Sequence, residues 1–240
     1  SYLDGQPLTR QKYLAPDVIA AFGDIVARVA TGLKDFRHAG LERDLQWDLR
    51  RAGPVALHLL KSVTDQKQRD RIAKAMIMAV KRLQPLASEL RMQAIHHDIT
   101  DDNVVATPNA SRRLMPDGVI DFGDFLYGWL VADLAVTCAA LLHHADGDPF
   151  LILPAVKAFH AHYPLNQAEL KALWPLIVAR AGVLVASSEQ QLSIDPDNDY
   201  VLGNIDHERM IFEVATSVPY PLMEAAILEA AGALPGAPDV

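Results

Sequence analysis

The stretch Ile95-His-His-Asp-Ile-Thr-Asp-Asp-Asn-Val104 decides how this chain is read, together with Val119-Ile-Asp-Phe-Gly-Asp124 downstream of it. Asp98 stands five residues before Asn103, and Asp121 ends a short apolar run just ahead of Phe122-Gly123. An Asp followed by an Asn, then a strand ending in Asp-Phe-Gly, is the polar set that phosphoryl transfer requires. Asp98 is placed to orient a hydroxyl or accept its proton. Asn103 and Asp121 offer the hard oxygen ligands that magnesium takes on nucleotide phosphates. Single Asp and Asn residues mostly serve turns, so the weight lies on the three together at this spacing.

Around these residues stand further acids. Asp101, Asp102 and Asp124 crowd the same region and are candidates for attracting an ammonium group on a substrate, while Asp124 also suits a helix N-terminus. His96 is read as a brace of the loop rather than a reacting group. Asp133 lies inside Trp129-Leu-Val-Ala-Asp-Leu-Ala-Val; a buried acid there needs hydrogen-bond partners, and it is read as a brace beneath Asp98.

The chain has 240 residues, half of them apolar and 22% charged, enough for one domain with a sizeable core or two small ones. A formal net charge of −8, with no basic face, argues against a nucleic acid or an anionic membrane as partner and agrees with a cationic substrate. The one cysteine, Cys138, sits in an apolar stretch and permits no internal disulfide, so a reducing compartment, the cytoplasm, is expected. The most apolar segment, from Trp174 to Ser187, is interrupted by Arg180 and reads as too short to span a membrane.

Periodicity outlines the architecture. Helices are expected from Pro16 to about Lys34, at 55–63 and at 66–86. Short strands follow at 93–96, 103–107 and 118–121, with a hairpin tip over 108–113. Helices resume at about 125–144, 149–162, 167–191 and 206–231. Residues 35–53 read as a polar connection. The fold class is α+β, mostly α: a helical body with one small β insert that carries the catalytic loop.

On these residues the chain resembles the aminoglycoside phosphotransferase and choline kinase-like superfamily of small-molecule kinases. Its pattern of His-Gly-Asp, four residues, Asn, then Ile-Asp-Phe/Trp stands here as His96-His97-Asp98, Asn103 and Ile120-Asp121-Phe122. Within it the hydroxylysine kinase branch is most similar, through Asp121-Phe-Gly-Asp-Phe-Leu-Tyr-Gly-Trp-Leu-Val-Ala-Asp133, Phe36-Arg-His38, Asp44-Leu-Gln-Trp-Asp48 and Phe159-His-Ala-His-Tyr-Pro-Leu165. The resemblance implies ATP and Mg2+ as cofactors, Asp98 as the catalytic Asp, and Asn103 and Asp121 as magnesium ligands. It also implies Ser1 and Leu3 in a hinge that touches adenine. The implied activity is transfer of phosphate to the alcohol group of an amine-bearing metabolite such as hydroxylysine or ethanolamine, or of an aminoglycoside. The alternative is a non-catalytic kinase-like domain that binds a ligand or a partner domain.

Two departures from the pattern stand out. Position 97 carries His where the family has Gly, putting a side chain into a tight turn. No Gly-rich loop precedes the catalytic motif, and Lys34 and Lys61 fall in helical segments. Residues 1–8 are therefore expected to be a hinge from a missing N-lobe and 9–235 the C-terminal lobe of a protein-kinase-like fold. The missing N-lobe is then a partner. A fused class III aminotransferase domain, found in the same branch, is another, and a homodimer formed through an apolar surface near residues 1–8 a third.

Overall fold

The computed structural model describes residues 3–233. It is a helical body wrapped round one central helix, with two short β-ribbons on one side. Helix α1 spans Pro16–Leu33, α2 Ala52–Leu59 and α3 Gln66–Leu83. Strands β1 (Met92–Ile95), β2 (Val104–Pro108), β3 (Leu114–Val119) and β4 (Leu126–Trp129) follow. The C-terminal half adds α4 (Leu130–Leu141), α5 (Leu153–His162), α6 (Gln167–Ile194), α7 (Asp199–Ala215) and α8 (Tyr220–Ala230).

Helix starts follow local chemistry. Pro16 opens α1, where a missing N–H costs nothing. Asp65 caps α3 by accepting from the amides of Lys67 and Gln68, and Asn166 forms a reciprocal capping box with Glu169 at the start of α6. Helix α6 packs against α2, α3, α4, α7 and α8. It is long and apolar enough to cross a membrane by length and composition, contrary to the sequence reading, but 89% of that apolar window is buried inside the protein. It is the core helix of this fold. Helices α1 and α5 approach closely at Gly23, where an added Cβ would stand 2.0 Å from the Ala155 carbonyl oxygen, so glycine is required there.

The β part differs from the expected single insert. β1 pairs antiparallel with β4, from Met92↔Trp129 to Ile95↔Leu126. β2 pairs antiparallel with β3, from Val104↔Val119 to Pro108↔Leu114. The segment 126–129, read as helix, is strand β4, because pairing with β1 overrides local pattern. Likewise 206–231 is two helices. Pro219, as N-cap of α8, breaks the run.

The N-terminal segment is tied down. Gln6 exchanges backbone hydrogen bonds with Ala106 of β2 at 3.1 and 2.9 Å, and the Leu8 amide donates to the Asp101 carbonyl at 2.9 Å. Leu8 is 1% exposed and belongs to the core. It therefore adds nothing to the apolar surface expected near residues 1–8, which among the described residues is left to Leu3, 40% exposed.

Candidate active site

The ribbon topology positions the site. The β1–β4 ladder ends at Ile95/Leu126 and the β2–β3 ladder starts at Val104/Val119. The two loops that leave these ends, 96–103 and 120–125, must therefore lie side by side between the ribbons. Two hydrogen bonds lace them together: the Ile120 amide donates to the Asn103 carbonyl at 3.0 Å, and His96 Nε2 meets the Ile120 carbonyl at 3.0 Å. Asp98, Asn103 and Asp121 are brought to one place.

Asp98 is held on both carboxylate oxygens. Asn103 Nδ2 donates to Oδ2 at 2.7 Å and also to the Asp98 carbonyl at 2.9 Å. Arg180 Nη2, reaching in from α6, donates to Oδ1 at 3.2 Å. Burial raises the Asp98 carboxyl above the ordinary carboxylate range; Arg180 and the Asn103 hydrogen bond oppose that rise, while Asp124 and Asp121 add to it. Arg180 is itself 5% exposed, and its guanidinium stacks over the Trp47 ring with 4.6 Å to the centroid. Burial lowers its pKa and Asp98 counters, but a guanidinium keeps its charge. The pair is thus a desolvated carboxylate with a fixed cation.

Asn103 donates with its nitrogen and leaves Oδ1 without a hydrogen bond among the described residues. Asp121 has φ 57 and is exposed; its Oδ1 accepts from the Gly123 amide at 2.9 Å. A left-handed backbone is costly for most residues but mild for Asp, and here it turns the carboxylate out of the strand. A neutral amide oxygen and an exposed carboxylate beside Asp98 form a donor set that fits a hard divalent cation.

The loop beneath Asp98 rests on α4. Asp133 is fully buried and accepts the His97 amide at 2.5 Å and the His96 amide at 3.2 Å. Burial pushes its carboxyl up to about 7 against those two donors. Thr137, one turn on, donates to the Ile99 carbonyl at 2.6 Å. His96 Nδ1 accepts from the Asp98 amide at 3.3 Å, which leaves Nε2 as the protonated nitrogen that donates to Ile120.

His97 occupies the left-handed turn with φ 67, the backbone a glycine would adopt. Its ring is buried, and Nε2 donates to the Trp47 carbonyl at 2.8 Å. Burial brings its pKa down to about 4, so the ring is neutral. Asp98 keeps its bonds to Asn103 and Arg180 with this side chain in place.

The segment read as a plain connection covers the site. Trp47 meets both His97 and Arg180, Gln46 reaches Ser187 of α6 at 2.9 Å, and Arg43 donates to the carbonyls of Phe125 (3.1 Å) and Gly123. Phe36, Phe125, Phe122 and His96 form a chain of ring contacts that supports residues 121–125.

The other sequence candidates distribute unevenly. Asp102 is exposed and accepts from Thr9. Asp124 does not line the cleft beside Asp98. Asp101 is 3% exposed, and its carboxylate is taken up by His143 and His144, so it is not free for a substrate ammonium. Leu3 lies over Gly118 of β3, two positions before Ile120. Ser1 falls outside the described residues. A cleft of about 490 Å3 opens from Asp98 toward α7 and includes Arg180, Tyr200 and Glu208, which sequence reasoning did not single out. Arg180 had a signal, as a lone charge in an apolar helix; Glu208 and Tyr200 had none. Glu208 accepts from Ser188, and burial raises its carboxyl.

Comparison with known proteins agrees with this layout. The chain is 20% identical to hydroxylysine kinase of Mus musculus, over 82% of this chain and 54% of the relative. It is 22% identical to hydroxylysine kinase of Danio rerio, over 84% and 58% respectively. The chain thus spans a little over half the length of these curated relatives. Among solved structures, a microcompartment-associated aminopropanol kinase superposes with a TM-score of 0.63 at 16% identity, covering 88% of this chain and 64% of that one; this likeness concerns the fold. The sequence profile of the phosphotransferase enzyme family matches residues 1–165, a span that takes in both site loops and the helix bracing them. The chain belongs to the phosphotransferase enzyme family.

Proposed function

We propose that this chain forms the catalytic lobe of a kinase that moves the γ-phosphoryl group of ATP to the hydroxyl of a small amine-bearing alcohol. The observation that carries the reading is the convergence of Asp98, Asn103 and Asp121 at the junction of two ribbons, with Asp98 fixed on both oxygens. Asp98 orients the substrate hydroxyl and takes its proton as the oxygen attacks phosphorus. Arg180 opposes the rise that burial gives the Asp98 carboxyl. Asn103 Oδ1 and the Asp121 carboxylate hold magnesium, which neutralises phosphate charge when bound. The accommodated His97 favours this reading over a non-catalytic one.

Substrate class follows from the cleft. Asp98, Asp102, Asp121 and Glu208 give it an acidic lining, and Tyr200 adds an aromatic wall. Such a lining attracts an ammonium group. The relatives named hydroxylysine kinase and aminopropanol kinase act on substrates whose names carry both groups. The nucleotide's base and outer phosphates need a cover, and we assign it to a second lobe packing over the exposed Ile120 and Phe122, 42% and 51% exposed beside Asp121.

The test is phosphate transfer by the intact protein from labelled ATP to a panel of amino alcohols, with neutral polyols of equal size alongside. Turnover of the amino alcohols, with KM raised at least tenfold by Glu208→Gln, is expected. Turnover of polyols alone would overturn the substrate class.

A further inference from the structure

Behind the catalytic loop, two imidazoles converge on one carboxylate. Asp101 Oδ2 lies 3.0 Å from His144 Nε2 and 3.3 Å from His143 Nε2. The two rings stand with centroids 3.8 Å apart. All three ligand-type atoms fall within 4.8 Å of one another. Asp101 and His144 are buried, and the His143 side chain is 9% exposed.

The outer nitrogen of the His144 ring faces a backbone carbonyl. His144 Nδ1 donates to the Gln11 carbonyl at 2.7 Å. In the neutral ring, a proton on Nδ1 leaves a lone pair on Nε2. Such a lone pair turned on a carboxylate oxygen repels it, and His143 Nε2 is a buried nitrogen with no hydrogen-bond partner. A cation placed among the three atoms would give His143 Nε2 a partner and sit between the His144 lone pair and the Asp101 carboxylate. Ligating histidines characteristically donate their other N–H to a carbonyl or carboxylate, as here. Ligand atoms bound tetrahedrally at ~2.0–2.1 Å stand ~3.3 Å apart, close to the 3.3 and 3.0 Å from Asp101 to the two imidazoles.

We propose that Asp101, His143 and His144 form a binding site for a divalent transition cation, with zinc the best fit to two imidazoles and one carboxylate. Asp101 belongs to the catalytic loop, the two histidines to the turn that ends α4, and Gln11 to the segment ahead of α1. The metal ties these three together and so fixes the loop that carries Asp98. Its remaining position faces the cleft, which both Asp101 and His143 line. Its ligands differ from those of the oxygen site at Asn103 and Asp121, whose donors suit magnesium instead.

Cobalt(II) is the probe. The untagged protein, held in excess Mg2+ to occupy the oxygen ligands, is titrated with Co2+ and read by visible absorption, since a tetrahedral nitrogen-containing site absorbs far more strongly than an octahedral oxygen one. One equivalent is expected, displaced by Zn2+, and Zn2+ but not Mg2+ should raise Tm by several degrees. His143→Gln and Asp101→Asn should each lower the affinity at least tenfold. Two variants are used so that misfolding of one, seen by circular dichroism, leaves the other decisive. If the wild type takes up no Co2+ or Zn2+ below ~100 μM, Asp101 is simply the hydrogen-bond partner of His144 and the proposal falls. It falls equally if both folded variants bind as the wild type does.

Discussion

Arg180 Nη2 donates to Asp98 Oδ1 at 3.2 Å, joining the middle of the central helix to the Asp98 loop 82 positions earlier in the chain. Arg180 has little access to water, being 5% exposed and roofed by Trp47, while the Asp98 side chain keeps 27% exposure toward the cleft. Breaking such a pair leaves an uncompensated buried charge. Arg180→Met should therefore let burial carry the Asp98 carboxyl further up. A base works only when ionised, so activity is lost as pH falls through this pKa. The acidic limb of kcat/KM against pH is expected to move upward by about one pH unit or more. A limb that stays where it is in the wild type would remove Arg180 from the account.

Asn103 and Asp121 should separate from Asp98 by their magnesium dependence. Asn103→Ala takes an oxygen ligand from the cation, and Asp121→Asn takes the negative charge from the other. Both are expected to raise the Mg2+ concentration for half-maximal rate at least tenfold, whereas Asp98→Asn should leave it near the wild-type value. Unchanged Mg2+ dependence in both loop variants would place the cation elsewhere.

Asp133 offers a signed pH test of stability. Its carboxyl is raised to about 7 in the fold, against an ordinary carboxylate range near 4 in the unfolded chain. The stability it adds is full below about pH 4 and is lost as pH rises through about 7. Asp133→Asn leaves one of the His96 and His97 amides without an acceptor, at a cost of about 1–3 kcal/mol. That deficit should be largest near pH 4 and shrink toward pH 8 in urea denaturation. A deficit that grows with pH would show the two amide donors outweighing burial.

His97→Gly sets two terms against each other. A left-handed backbone costs a non-glycine residue about 1–2 kcal/mol, which the glycine recovers. Against this stand a buried ring and its bond to Trp47, where large-to-small changes cost about 2–5 kcal/mol. The variant should be less stable by about 1–3 kcal/mol, and Trp47 fluorescence should shift red as the roof over Arg180 loosens. A gain in stability would mean that the ring is merely tolerated.

Most of what brings Asp98, Asn103 and Asp121 together was legible in the sequence, because the proposed phosphoryl transfer needs particular oxygens at short range and those residues are close in the chain. Asp98, Asn103 and Asp121 lie within one pair of loops, and the structure brings them together through the ribbon ladders. What was missed depends on distant pairing. Residues 126–129 became β4 only because β1 supplies a partner, and Trp47, Arg43 and Arg180 join the site across tens of positions that no local period reveals. Arg180 was visible as a break in an apolar run, yet its partner was not. Asp101 misled for the same reason: its spacing matches the other acids, while its burial against His143 and His144 is decided by the end of α4.

The central claim is that Asp98 performs the proton chemistry of transfer to an alcohol. The most direct measurement is the single-turnover rate of phosphate transfer from ATP to an amino alcohol by the intact protein, wild type against Asp98→Asn, at saturating Mg2+. The account predicts a loss of about two orders of magnitude or more in the variant, with ATP binding retained. Equal rates in the two proteins would contradict it.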